Sequence, residues 1–216
     1  MTRIISPSML SADFGNLQSM CQMINESDAE WLHFDVMDGV FVPNISFGFP
    51  VIEAIKKHCR KMLDVHIMIV EPEKYVNRFA KAGAGMLTFH FEATKNPQQV
   101  IELIKAEGIK VGICINPDIP VSVLKPYIKQ VDMVLLMSVF AGFGGQKFIE
   151  QTYERIDELR ALIEELNPEC LIEIDGGVTL ENAATLFARG VHVLVAGSTV
   201  FNASNPIEII RELKNV

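Results

Sequence analysis

The sequence predicts a (β/α)8 barrel, the TIM-barrel architecture, on three observations. Apolar β-like segments alternate with amphipathic helical segments from end to end, eight of each. The β-like segments finish in polar or glycine residues, at Ser8, Asp35, His66, His90, Asn116, Ser138, Asp175 and Gly197, and that is the rim on which barrels carry their chemistry. The chain has 216 residues, within the ~200–250 that such barrels commonly use.

The predicted strands are Ile4–Met9, Trp31–Val36, Leu63–Met68, Met86–Phe91, Lys110–Ile115, Asp132–Val139, Leu171–Asp175 and His192–Ala196. Most are rich in Val, Ile, Leu and Phe, as parallel strands covered on both faces require. Between the first two, Leu17, Met20, Cys21 and Ile24 follow the i, i+3, i+4, i+7 spacing of a helix. Pro72 opens a helical segment through Tyr75, Val76 and Phe79 that stops at Gly83, with proline at the start and glycine past the end. Ile149–Leu166 is a long amphipathic stretch ended by Asn167-Pro168. Thr179 reads as the N-cap of Leu180–Arg189, closed by Gly190, and Asn205-Pro206 begins the last helix. An open doubly wound sheet is the alternative. It ordinarily carries a glycine-rich nucleotide loop after its first strand, and Ser11-Ala12-Asp13-Phe14-Gly15 is not one.

No linker, charge block or low-complexity run divides the chain, so residues 1–216 are expected to form a single catalytic barrel. Apolar residues make up 49% and charged residues 21%, which allows a large core. The formal charge of −8 argues against nucleic acid or an anionic membrane as partner. An anionic small molecule would therefore be held by glycine-rich backbone, helix N-termini or a metal. Cys21, Cys59, Cys114 and Cys170 are dispersed without a C-x-x-C pair, as expected in a reducing cytoplasm. Nothing resembles a signal peptide, and no apolar run nears the ~18 residues of a membrane span. A cytoplasmic protein is expected.

Two stretches carry most of the chemistry: His33-Phe34-Asp35-Val36-Met37-Asp38-Gly39 and Glu173-Ile174-Asp175-Gly176-Gly177, with Leu63-Asp64-Val65-His66-Ile67-Met68 between them. Positions i and i+2 of a strand share a face, so His33, Asp35 and Met37 point one way, as do Asp64, His66 and Met68. A charged aspartate facing the helix layer would be costly without a partner, so these residues are expected inside the barrel. A lone histidine in an apolar strand is ordinarily a hydrogen-bonded core residue. Two histidines and two aspartates at strand ends, His33, Asp35, His66 and Asp175, form a set that can hold one divalent metal. Mixed nitrogen and oxygen ligands suit Zn, Fe(II), Mn or Co better than Mg. Glu173 is expected to point inward one layer deeper; His90, which closes its strand, is read either as a neighbour of the set or as a structural histidine. Gly142-Phe143-Gly144-Gly145-Gln146 reads as a mobile lid. Gly176-Gly177 and Gly197-Ser198, after the last two strands, read as a phosphate site built from backbone N–H groups.

These stretches, with Ile5-Ser6-Pro7-Ser8-Met9-Leu10-Ser11-Ala12-Asp13, Phe41-Val42-Pro43-Asn44, Met137-Ser138-Val139, Gly142–Phe148, Ile172–Val178 and Val195–Ser198, resemble the D-ribulose-5-phosphate 3-epimerase family over essentially the whole chain. The resemblance implies a barrel of the ribulose-phosphate-binding type. It also implies an isomerase that inverts C3 of a small phosphorylated ketose through an ene-diolate, in the pentose phosphate pathway. It makes His33, Asp35, His66 and Asp175 ligands of one divalent cation and Asp35 and Asp175 the acid/base pair, one for each face of C3. Ser8 and His66 would contact substrate, and Met37, Met68 and Met137 would line the pocket beside the reacting carbons. Gly142, Phe143, Gly144 and Gly145 of the lid, with Gly176, Gly177, Gly197 and Ser198, would close over and hold the phosphate. A homo-oligomer, commonly dimeric or hexameric, is implied as well.

The chain departs from that pattern at the lid, where Phe140-Ala141 stands in place of the usual Asn-Pro, and at Val40, where many members have His. Losing proline is expected to free the lid backbone. Three rival readings are a six-carbon allulose-6-phosphate 3-epimerase, a sugar-phosphate-binding barrel without catalysis, and a metal-free phosphate barrel such as an indole-forming lyase or a decarboxylase. The last kind usually places Lys or Glu at strand ends, and no lysine occupies one here.

Overall fold

The computed structural model describes residues 2–216. Eight parallel strands, β1 (Ile4–Pro7), β2 (Trp31–Met37), β3 (Met62–Met68), β4 (Met86–His90), β5 (Lys110–Ile115), β6 (Met133–Met137), β7 (Leu171–Asp175) and β8 (Val193–Ala196), form one sheet in the order β1-β8-β7-β6-β5-β4-β3-β2. The ring closes where Ser8, just past β1, bridges His33 of β2 in parallel. This is the expected barrel, with no strand end moved by more than two residues; the sixth strand is the most shortened.

The helices are α1 (Leu17–Glu26), α2 (Phe49–Lys56), α3 (Val76–Ala82), α4 (Pro97–Ala106), α5 (Thr152–Leu166), α6 (Leu180–Ala188), α7 (Ser198–Phe201) and α8 (Pro206–Asn215). The expected regular alternation fails once. After β5 the chain makes two 3-10 turns, Val121–Leu124 and Ile128–Gln130. Pro117, Pro120 and Pro126 fall in this stretch, and each removes an N–H and crowds the preceding turn. The segment opened by Pro72 is a 3-10 turn to Lys74 followed by α3, which ends at Gly83 with φ +110°. Asn182 Oδ1 accepts the Thr179 N–H at 2.9 Å, so Thr179 does stand at the start of α6.

The main apolar core lies between sheet and helices, with Phe34, Phe79 and Phe89 among its largest fully buried side chains. Inside the ring the character changes along the axis. Ile4, Trp31, Met86, Met133 and Val193 plug the N-terminal end. One layer higher the inward positions are polar: Ser6, His33, Asp64, Thr88 and Glu173 are all fully buried. The barrel bottom is apolar and the layer above it polar.

Candidate active site

Strand register sets the first pair of contacts. β2 and β3 align His33 with Asp64 and Asp35 with His66, so each histidine has an aspartate beside it on the neighbouring strand. His33 Nδ1 lies 2.6 Å from Asp64 Oδ2, which also accepts from Ser6 Oγ at 3.1 Å. That leaves His33 Nε2 facing Asp35 Oδ1 at 3.3 Å and Asp175 Oδ2 at 3.9 Å. His66 Nδ1 approaches the same two oxygens at 3.1 and 3.8 Å. Ligand atoms around a tetrahedral ion with bonds of about 2.0–2.1 Å stand about 3.3–3.4 Å apart. The four atoms His33 Nε2, Asp35 Oδ1, His66 Nδ1 and Asp175 Oδ2 bracket that spacing, and all lie within 4.8 Å of one another. Their chemistry and spacing fit a divalent transition metal.

The flanking contacts fix these groups. Ser8 Oγ donates to Asp35 Oδ2 at 2.6 Å, so the residue that closes the ring also turns Asp35 Oδ1 toward the cluster. His66 Nε2 is 2.8 Å from His90 Nε2, which leaves Nδ1 as the His66 atom turned to the carboxylates. The Asp175 carboxylate accepts no hydrogen bond from the described residues, although its backbone carbonyl accepts from Ser138, and its side chain keeps 15% of its surface exposed.

The two aspartates are electrostatically unlike. Burial would raise Asp35, but the His33 charge and hydrogen bonds from His33 and His66 outweigh it and hold the carboxyl far below the usual range. Asp175 is pushed up to about 7 by burial and by the negative charge of Asp35. Glu173, one layer deeper, is raised well above the usual glutamate value by burial and by Asp64. Burial drives His90 down to about 4.

Above the cluster opens a cavity of about 640 Å³. Ser8, Asp35, Met37, Met68, Met137, Gly142, Phe143, Gly144, Gly145, Asp175, Gly176, Gly177, Gly197 and Ser198 all line it. His66 and His33 have no exposed surface and are not among the residues lining the cavity. At the far wall Gly177 has φ +63°, and a Cβ there would come within 2.5 Å of the Phe148 nitrogen; one on Gly197 would meet Ser11 Oγ at 2.7 Å. Only glycine lets the β7 and β8 loops come this close to their neighbours. Gly197 leads directly into α7, whose first residue is Ser198.

Sequence reasoning gave Asp64 no task, although its i, i+2 pairing with His66 mirrors His33 and Asp35; the cross-strand register was the missing information. It also passed over Lys147, the one lysine, arginine or histidine among the described residues lining the cavity. The lid is tied down more than its glycines imply. Gln146 Nε2 donates to the carbonyls of Phe140 and Phe143, and Asn44 Nδ2 to that of Gly142. The Ala141 N–H, expected to be set free by the loss of proline, donates to Asn116 Oδ1 at 3.1 Å.

An eight-stranded barrel with convergent imidazoles and carboxylates at its C-terminal rim defines a class, the barrel enzymes that work at strand ends. Comparison with known proteins narrows it: residues 4–201 match the model of the ribulose-phosphate 3 epimerase family, and the chain belongs to that family, a family of isomerases. The Bacillus subtilis ribulose-phosphate 3-epimerase is 43% identical, covering 97% of both chains, and the Candida glabrata protein of the same name is 42% identical over 98% of this chain and 91% of its own. The chloroplastic ribulose-5-phosphate-3-epimerase of Arabidopsis thaliana is 43% identical over 98% of this chain and 76% of its own. Among solved structures, KGPDC from Streptococcus mutans superposes with a TM-score of 0.73 at 13% identity, covering 100% of this chain and 97% of that one. A mutant tryptophan synthase alpha-subunit from Pyrococcus furiosus gives 0.72 at 14%, covering 100% and 98%. At such identities these two likenesses concern the fold.

Proposed function

We propose that the chain is a metal-dependent epimerase that inverts C3 of D-ribulose 5-phosphate to give D-xylulose 5-phosphate through an ene-diolate. The carrying observation is the convergence of His33 Nε2, Asp35 Oδ1, His66 Nδ1 and Asp175 Oδ2, all within 4.8 Å of one another, beside a cavity that Asp35 and Asp175 line together with Gly144, Gly145, Gly177 and Gly197. Those four atoms would hold one divalent cation, Zn, Fe(II), Mn or Co. The cation would supply positive charge against the negative charge that develops on the substrate oxygens.

The C3 hydrogen of a 2-ketose is acidic because it lies α to the carbonyl. Asp35 and Asp175 reach the site from strands β2 and β7, three steps apart around the ring, and so address C3 from different sides. One carboxylate accepts the C3 proton while the other delivers a proton to the opposite face, and the roles exchange in the reverse direction. Ser8 Oγ holds Asp35 in place for this transfer. Each positioned acid or base contributes about 10²–10⁴-fold. Met37, Met68 and Met137 form an apolar wall beside the reacting carbons, which keeps water from the carbanionic species. Backbone N–H groups of Gly144, Gly145, Gly177, Gly197 and Ser198 are assigned to the phosphate, with Gly142, Phe143 and Gly176 shaping the space around it.

Family membership supports placing the reaction in the pentose phosphate pathway and expecting a homo-oligomer. No helix among the described residues is long and apolar enough to cross a membrane. We assign the chain to the cytoplasm, with a small phosphorylated ketose as its partner and no role in nucleic-acid binding. The test is a coupled epimerase assay with D-ribulose 5-phosphate and D-allulose 6-phosphate side by side on metal-loaded protein, with size-exclusion chromatography and light scattering for the assembly. A higher kcat/KM for the five-carbon sugar is expected. Preference for the six-carbon sugar reassigns the substrate, and turnover of neither overturns the catalytic reading.

A further inference from the structure

Asn116 follows β5 directly, and both of its backbone groups are engaged. Its carbonyl accepts from Arg155 Nη2 at 2.8 Å, and its N–H donates to Glu92 Oε1 at 3.0 Å. Arg155, on α5, is only 7% exposed. It also gives Nη2 to the Ile119 carbonyl at 3.1 Å and Nη1 to the Met137 carbonyl at 3.1 Å. No carboxylate of the described residues comes within ion-pair distance of it. A buried guanidinium whose hydrogen-bond partners among the described residues are all backbone carbonyls acts as a strap, here between the end of β5 and the end of β6.

With its main chain fixed on both sides, Asn116 has a fixed aim. Its Oδ1 accepts the Ala141 N–H at 3.1 Å, at the root of the lid. Ala141 is half-buried and packs both on the group containing Cys114, Leu135 and Met137 and on the group containing Met37 and Met68. The carbonyl of the next residue, Gly142, accepts from Asn44 Nδ2 at 2.8 Å. The place where Ala141 sits is therefore also the place where the lid meets the methionine wall.

We propose that Asn116, aimed by the buried guanidinium of Arg155, is a positioning residue that fixes the root of the lid through its hydrogen bond to the Ala141 N–H and so readies the pocket for a phosphorylated ketose. The substrate part rests on the function proposed above; the anchoring part does not. An unanchored lid must be ordered at the moment of binding, so the loss falls on KM, while the proton-transferring groups, none of which touch Asn116, leave kcat in place.

The experiment compares metal-loaded wild type, Asn116→Ala and Asn116→Asp. It uses hydrogen exchange read by mass spectrometry over residues 140–147, together with KM and kcat for D-ribulose 5-phosphate. In Asn116→Ala, exchange in that segment should rise at least about fivefold and KM about fivefold, the weight of one net hydrogen bond, with kcat within about twofold of wild type. Asn116→Asp retains an acceptor oxygen and should keep wild-type exchange. Arg155→Met should raise exchange at 140–147 although it touches no lid residue. Wild-type exchange in Asn116→Ala overturns the anchor, and faster exchange with unchanged KM overturns its bearing on the substrate. A wild type inactive on the ketose phosphate would count against the proposed function alone, because the exchange comparison still decides the anchor.

Discussion

His33 Nδ1 and Asp64 Oδ2 are 2.6 Å apart, and neither side chain has any exposed surface. With the neutral imidazole that a metal ligand requires, a carboxylate accepting from Nδ1–H would leave Nε2 as the atom with the lone pair, on the side of Asp35 and Asp175. In the proposed metal site, Asp64 would thus select which nitrogen of His33 meets a bound cation. Asp64→Asn can present an amide donor to Nδ1 and reverse the tautomer, so metal affinity should fall by about 10–100-fold. Competition with a calibrated chelator measures this, and an unaltered affinity would remove Asp64 from the site.

Removal of the metal should abolish turnover, and Zn²⁺, Mn²⁺, Fe²⁺ or Co²⁺ should restore it. The same loading should raise thermal stability, since an ion that binds only the folded chain at 100 times its Kd contributes about 2.7 kcal/mol. Full activity in protein shown by elemental analysis to be metal-free would end the metal-dependent reading.

Asp175→Asn separates proton abstraction from inversion. Epimerisation should drop by at least about 10²-fold, because a proton taken from one face of C3 can no longer be replaced on the other. In deuterated water one epimer should still exchange its C3 hydrogen through Asp35 without inverting, and the other should not. Asp35→Asn should show the mirror pattern. Metal content is measured alongside, and near-normal inversion in a loaded single variant would contradict the two-carboxylate assignment.

Changing Phe140-Ala141 to Asn-Pro removes the N–H that Asn116 accepts and stiffens the chain at the same point. These effects oppose, so KM or kcat should move only a few-fold, within about 1 kcal/mol, with metal content unchanged. Loss of metal in this variant would show that the lid bears on the floor of the site.

The barrel, and the gathering of His33, Asp35, His66 and Asp175 at its rim, were legible in the sequence because both are written in periodicities. Strand alternation put His33, Asp35, His66 and Asp175 on inward faces without any knowledge of their neighbours. The task of Asp64 was not legible, since it depends on the β2–β3 register, which is a relation between segments rather than within one. The missing helix after β5 was legible in principle from Pro117, Pro120 and Pro126, but counting β-like and helix-like segments hid it. The tie between Asn116 and Ala141 spans 25 residues and depends on a donor that any residue except proline can supply, so residue type alone carries no signal for it.

The seam between β1 and β2 has a consequence for how the molecule is held shut. Every other pair of neighbouring strands shares a continuous backbone ladder, whereas these two meet in a single bridge at Ser8 and His33. The Ser8–Asp35 hydrogen bond lies at that same gap. The side chains proposed to serve the chemistry are thus also the buttons of the garment: the ring is fastened at the proposed site. Selection acting on the reactive groups and selection acting on integrity of the barrel fall on the same few atoms, so drift at the seam is paid in both.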